Sequence, residues 1–160
     1  MRIVSNTGPL IALSAVGEMS LLQRIYGEVW VSTDVRDEIA AGPKLKSEED
    51  LTTVSWLRIE AASTEDDLLS RMLDKGEASA IRLARQIGAD MILIDERKGR
   101  KIAADIYGLR VIGTAGVLVH AKNLGLISSV TQTIRRMKEV GYWIDEAVLR
   151  TAAEKAGESV

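Results

Sequence analysis

Four consecutive apolar residues, Met91-Ile92-Leu93-Ile94, run directly into Asp95 and Glu96. A strand with no polar alternate position has no face to turn to water, so it belongs in a sheet covered on both sides. Short apolar runs of this kind recur along the chain, separated by longer stretches whose apolar residues follow helical spacing. Strands are predicted at 2–5, 29–31, 56–59, 91–94 and 110–112. A helix opens at Gly8-Pro9, where the missing N–H of proline costs nothing, and Gly17 separates it from a second at 19–26. Thr33 is the expected cap of a helix carrying Val35 and Ile39, which Gly42-Pro43 ends. Residues 43–52 read as a charged surface loop. Thr64 with Asp67 resembles a capping box for a helix reaching about residue 74, and Gly76 separates that helix from one at 77–87. Further helices are predicted at 97–107, 115–124, 130–140 and 145–156. Strand–helix alternation of this kind means an α/β fold, a mainly parallel sheet with helices on both faces. We read one domain, with its core over 1–127 and a C-terminal helical extension over 128–160.

Composition removes several function classes. A chain of 160 residues fits one domain. With no cysteine, it has no disulfide framework, thiolate metal site or cysteine nucleophile, which is compatible with a reducing cytoplasm. The N-terminal residues lack the apolar run of a signal peptide. No window approaches the roughly 20 apolar residues of a membrane span, so a soluble, cytoplasmic protein is expected. Net charge is −2, so any grip on nucleic acid must come from local basic residues. With three Trp, three Tyr and no Phe, a ladder of base-stacking platforms is not expected. Backbone contact is the expected mode. No Gly-x-Gly-x-x-Gly or Walker lysine motif is present. The single histidine, His120, lies within a predicted helix with no Gly-x-Ser-x-Gly elbow to serve. A zinc site has too few ligands of the right kind. A phosphoacceptor receiver would need further acids after the first strand, where Asn6-Thr7 stand, and a lysine at the end of the last.

Open parallel sheets bind ligands beyond the carboxyl ends of their strands. Asn6 and Thr7, Asp95 and Glu96, and Gly113-Thr114 all follow predicted strands and share that rim. Asp95 has two readings: a metal ligand at a strand tip, with the basic run Arg97-Lys98-Gly99-Arg100-Lys101 beside it for phosphate, or a cap for the following helix. Glu77 lies on the core stripe of Ala80, Ile81, Ala84 and Ile87. An inward carboxylate must be paired or metal-bound, unless the helix dipole and solvent satisfy it in the first turn. Glu38, three residues after Val35, either flanks the buried side of its helix or is a plain surface acid. Asn6 is a turn residue or an amide oxygen for a hard cation. Thr114 caps the helix at Ala115, positions a water or substrate oxygen, or does both.

Together these pieces resemble the PIN-domain family, and in particular its toxin-like, VapC-related branch in bacteria and archaea. The matching segments are Ser5-Asn6-Thr7-Gly8-Pro9-Leu10-Ile11-Ala12-Leu13, Val35-Arg36-Asp37-Glu38-Ile39, Gly76-Glu77-Ala78-Ser79-Ala80-Ile81, Leu93-Ile94-Asp95-Glu96-Arg97-Lys98-Gly99-Arg100 and Gly113-Thr114-Ala115-Gly116-Val117-Leu118. The resemblance implies a three-layer α/β/α fold and a ribonuclease using Mg²⁺ or Mn²⁺. It places the catalytic and metal-binding set on Asp95, Glu77, Glu38 and Asn6, where the family's first acid is replaced by an amide. Arg97, Lys98, Arg100 and Thr114 are then the candidates for holding RNA. A small antitoxin protein and a homodimer are the partners it implies. A PIN-like module that binds RNA or protein without cutting is the alternative that Asn6 motivates.

Overall fold

The computed structural model describes residues 1–42, 54–63 and 68–160. In chain order the elements are β1 (Ile3–Ser5), α1 (Thr7–Ala15), α2 (Ser20–Tyr26), β2 (Val29–Ser32), α3 (Thr33–Ala41), β3 (Leu57–Glu60), α4 (Leu69–Met72) and α5 (Lys75–Gln86). They continue with β4 (Met91–Leu93), α6 (Arg97–Asp105), β5 (Val111–Ile112), α7 (Thr114–Asn123), α8 (Val130–Glu139) and α9 (Glu146–Ala156). The strands form one five-stranded sheet in the order β3-β2-β1-β4-β5. Every neighbouring pair is parallel. Helices flank the sheet, giving the expected three-layer α/β/α arrangement.

The apolar runs behave as their lack of alternation requires. Ile3, Val4, Ile92, Leu93 and Ile94 are fully buried, with side chains on opposite faces of the sheet both covered. The core is aliphatic, built from leucine, isoleucine, valine and alanine across β1, β2, β4, α1, α5 and α7.

Chain order makes the centre of this sheet special. From β1 the chain steps outward to β2 and β3, then returns past β1 to β4 and β5. The reversal opens a crevice between the carboxyl ends of β1 and β4, the usual ligand position in sheets of this type. Ser5 pairs with Leu93, and the Asn6 amide continues the ladder by donating to the Leu93 carbonyl at 2.9 Å. Asn6 and Asp95 are thereby fixed on one rim.

Local differences from the sequence reading have simple causes. The cap of α3 is Ser32, whose hydroxyl accepts from the Val35 amide at 3.0 Å; Thr33 is the first helical residue. The same Ser32 oxygen lies 2.7 Å from Ser79 Oγ, which donates to the Gly76 carbonyl at 2.7 Å. That relay fastens the start of α3 to the start of α5. Gly76 is not a break between helices. It lies within the first turn of α5, which begins at Lys75 and is capped by Asp74. The helix before it is the single turn α4, and the proposed cap at Thr64 and Asp67 lies outside the described residues, as does the whole of the 43–52 loop.

At the C-terminal end, α8 and α9 pack on α7, and α8 also meets α1. One carboxylate locks this corner. Glu158 accepts from Lys122 Nζ (2.9 Å), Ser129 Oγ (2.9 Å), the Val130 and Thr131 amides (2.8 and 3.0 Å) and Thr131 Oγ1 (2.8 Å). Burial alone would raise its pKa. Lys122 and the amides opening α8 outweigh burial and hold it well below the usual carboxylate range. Among the described residues no helix is long and apolar enough to cross a membrane.

Candidate active site

Asp95 follows β4 immediately, and its carboxylate is held from three directions. Oδ1 accepts from the Thr114 amide at 2.7 Å, and Oδ2 accepts from the Thr114 hydroxyl at 2.5 Å and from the Tyr142 hydroxyl at 2.7 Å. Asp95 is therefore a cap, but of α7 rather than of the helix that follows it. Glu96 occupies the cap position of α6 and makes no side-chain capping bond there. Thr114 is correspondingly the first residue of α7, not its cap, and spends its hydroxyl on Asp95. The lack of a side chain at Gly113 is required here. An added Cβ would lie 2.6 Å from Arg100 Nη1 and 2.9 Å from Asp95 Oδ1.

Glu77 sits in the first turn of α5 and is only 6% exposed. Its amide donates to Asp74 Oδ1 at 2.8 Å, and its carboxyl is hydrogen-bonded to the Asp74 backbone in return. Asp74-Lys75-Gly76-Glu77 is therefore a capping box with Asp in the first position. Glu77 stands in the first turn, as one reading had it, and faces inward, as the other had it; solvent does little to satisfy it there. The inward position brings it against other acids. Burial pushes its carboxyl up to about 8, and a shared hydrogen bond with Glu96 and the charges of Asp74 and Glu96 add to the effect. Its carboxyl group also lies beside Gly99 of α6.

Glu38 is exposed, yet its carboxylate rests against Gly76, where any Cβ would collide with it and would come within 3.7 Å of Asp74 Oδ1. The structure thus joins Glu38 and Asp74 at the start of α5, Glu77 to Glu96 between α5 and α6, and Asp95 to Thr114 and Tyr142. Asn6 is 8% exposed, and its Oδ1 is buried without a hydrogen-bond partner, as is the neighbouring Thr7 Oγ1. Buried oxygens without partners are rare and costly, and here two stand in succession at the tip of β1.

Arg97 and Lys98 are exposed in the first turn of α6. The helix dipole disfavours cations there, whereas the free amides of that turn favour an anion. Arg100 points inward, with Nη1 donating to the Ile94 carbonyl at 2.9 Å. His120 is exposed in the last turn of α7 and 3.2 Å from the Tyr26 hydroxyl, in keeping with a structural role.

Three residues that touch the predicted set were given no role from sequence. Glu96 had the plainest signal, since it directly follows Asp95. Asp74 was marked by the Asp-x-x-Glu spacing of a capping box. Tyr142 had no local signal, because only tertiary packing brings it to the rim.

Among the described residues no three His, Cys, Asp or Glu side chains converge into a ready cage for a metal ion. The donors present nevertheless suit a hard cation. Asn6 supplies an unpartnered oxygen, and Glu77 and Glu96 are two carboxyls sharing a hydrogen bond.

A family model for the PIN domain matches residues 2–158. The chain belongs to the PIN-domain family, whose members are in general nucleases that use divalent metal ions. No curated protein and no solved structure matches it.

Proposed function

We propose that this chain is a metal-dependent ribonuclease that hydrolyses RNA phosphodiesters, with Asp95, Glu77, Glu38 and Asn6 holding Mg²⁺ or Mn²⁺. The observation that carries the reading is the buried Glu77 carboxyl, raised to about 8 and facing Glu96 and Asp74 beside the sheet's switch point. Natural folds rarely hold acids together without a compensating cation. The ion would supply a water acidic enough to give hydroxide near neutral pH. The residues of the chain do the rest. Thr114 fixes Asp95, the capping box fixes Glu77, and Gly76 lets Glu38 approach α5. Arg97 and Lys98 stand exposed at the start of α6, where the backbone amides assist them in holding a phosphate. The likeness to toxin-like PIN proteins supports a cytoplasmic toxin acting with a small antitoxin, and a homodimer.

A second reading, a PIN-like module that binds RNA or protein without cutting, is favoured by one observation. The family's first acid is here the neutral Asn6, which lowers the charge available to a cation. The decisive assay is cleavage of a mixed single-stranded RNA pool with Mg²⁺, with Mn²⁺ and with chelator, beside Asp95→Asn. Metal-dependent cutting that disappears in the variant supports the nuclease. Cutting that survives in Asp95→Asn removes Asp95 from the mechanism, and a folded protein that never cuts supports the binding module.

A further inference from the structure

Tyr142 belongs to the turn between α8 and α9, far in sequence from every other residue of the rim, yet its hydroxyl donates to Asp95 Oδ2 at 2.7 Å. The chain is steered there deliberately. Gly141 takes a positive φ of 96°, open only to glycine without strain, and the Tyr142 amide then returns to the Met137 carbonyl at 2.9 Å. Ile144, 7% exposed, anchors the far side of the turn in the core. The phenol oxygen lies over the first turn of α1, so close that a Cβ on Gly8 would come within 3.1 Å of it. Tyr142 thus touches the chain just after both strands that border the crevice.

A carboxylate has about four lone-pair positions, two on each oxygen. Thr114 and Tyr142 together fill both on Asp95 Oδ2, and the Thr114 amide takes one on Oδ1. One position remains, on Oδ1. With Thr114 alone, the carboxylate could rock about its two bonds from a single residue. The third bond, arriving from a different element, removes that freedom.

We propose that Tyr142 is a positioning residue of the site, locking Asp95 so that it offers a cation a single oxygen, Oδ1. This rests on the metal-dependent reading above. It also makes residues 128–160 part of the working site rather than an appendage to it, since the turn joining α8 to α9 delivers the lock. Removing hydrogen-bond partners of metal ligands typically weakens metal affinity or activity by about 10–100-fold.

The test is Tyr142→Phe, which keeps the ring and removes only the donor, measured by calorimetric Mn²⁺ binding, RNA cleavage kinetics and thermal unfolding in chelator. The expected result is Mn²⁺ affinity and kcat each lower by about tenfold, with KM for RNA unchanged and metal-free unfolding close to wild type. Unchanged Mn²⁺ affinity and kcat in a folded variant would overturn the proposal and leave Tyr142 a packing residue. Loss in parallel with a large fall in metal-free stability would overturn it too, by showing a structural role. Wild-type protein that binds no Mn²⁺ would sink the nuclease reading itself, and this inference with it. Wild-type binding with an indifferent Tyr142→Phe sinks only the inference.

Discussion

Glu77 and Glu158 are the same side chain, both largely buried, and the fold treats them in opposite ways. Glu158 meets a lysine, two hydroxyls and two amides, and its pKa falls. Glu77 meets Asp74 and Glu96, and its pKa rises. The first carboxylate holds a corner of the molecule together. The second is set among like charges, an environment that the proposed cation would relieve. Burial alone does not set the direction in which a buried acid's pKa moves; the sign of its surroundings does.

Replacing each by glutamine should separate them most sharply. Glu77→Gln is expected to lower metal-dependent cleavage by about 100-fold while stabilising the metal-free protein at pH 7 by about 2 kcal/mol. Glu158→Gln should leave cleavage intact and cost about 2 kcal/mol, because the donors around it lose an ionised partner. The pH dependence of the second follows from its lowered pKa. The stability contributed by Glu158 is full above the unfolded value near 4.5 and is lost as pH falls below it toward the depressed folded value. The gap between wild type and Glu158→Gln should therefore narrow as the protein is acidified. Thermal unfolding across pH with parallel cleavage assays measures all of this, and two variants with the same profile would dissolve the distinction.

A bound ion should add a comparable effect to one side of the comparison only. At 100 times its dissociation constant, a ligand confined to the native state stabilises it by about 2.7 kcal/mol. For a domain of this size that is a rise in Tm of about 5–10 °C. Mn²⁺ should raise the Tm of wild type and of Glu158→Gln by this amount and leave Glu77→Gln nearly unmoved. Equal shifts in all three would place the ion elsewhere.

The contrast between the two glutamates also marks what the sequence discloses. Patterning was sufficient for the strands: the unbroken apolar run at Met91–Leu93 required a sheet covered on both faces, and the structure has one. The rim was legible for the same reason, since polar residues directly after buried strands can only stand at its edge. Caps were less so. Ser32 and Thr33 are adjacent and both can cap, and only Ser32's contact with Ser79 on α5 decides between them. Glu77 was ambiguous because a first-turn glutamate satisfies the dipole and the core stripe at once. Asp74 stands three residues before Glu77 as the cap of the same helix, but Glu96 lies on another segment, and charge proximity across segments leaves no periodic trace. Tyr142 was invisible for that reason as well.

The smallest expected effect concerns Asn6, where the site stops short of the arrangement its family resemblance implies. Its Oδ1 is buried without a partner, so the position already accepts an oxygen facing a cation. Asn6→Asp changes little in shape and adds one negative charge. In the metal-free protein that charge joins an environment already poor in cations, so stability should fall by about 1 kcal/mol or more. With an ion present the same charge becomes favourable, and Mn²⁺ affinity should rise by about tenfold, or about 1.4 kcal/mol, with a matching gain in cleavage at limiting metal. Calorimetry and cleavage at graded Mn²⁺ read both. An affinity that does not change would mean that Asn6 does not face the ion, and its orphaned oxygen would then have to be explained by another ligand. A gain in affinity without a gain in cleavage would mean that charge at the tip of β1 sets occupancy alone, and that the chemistry is limited by the groups on β4 and α5.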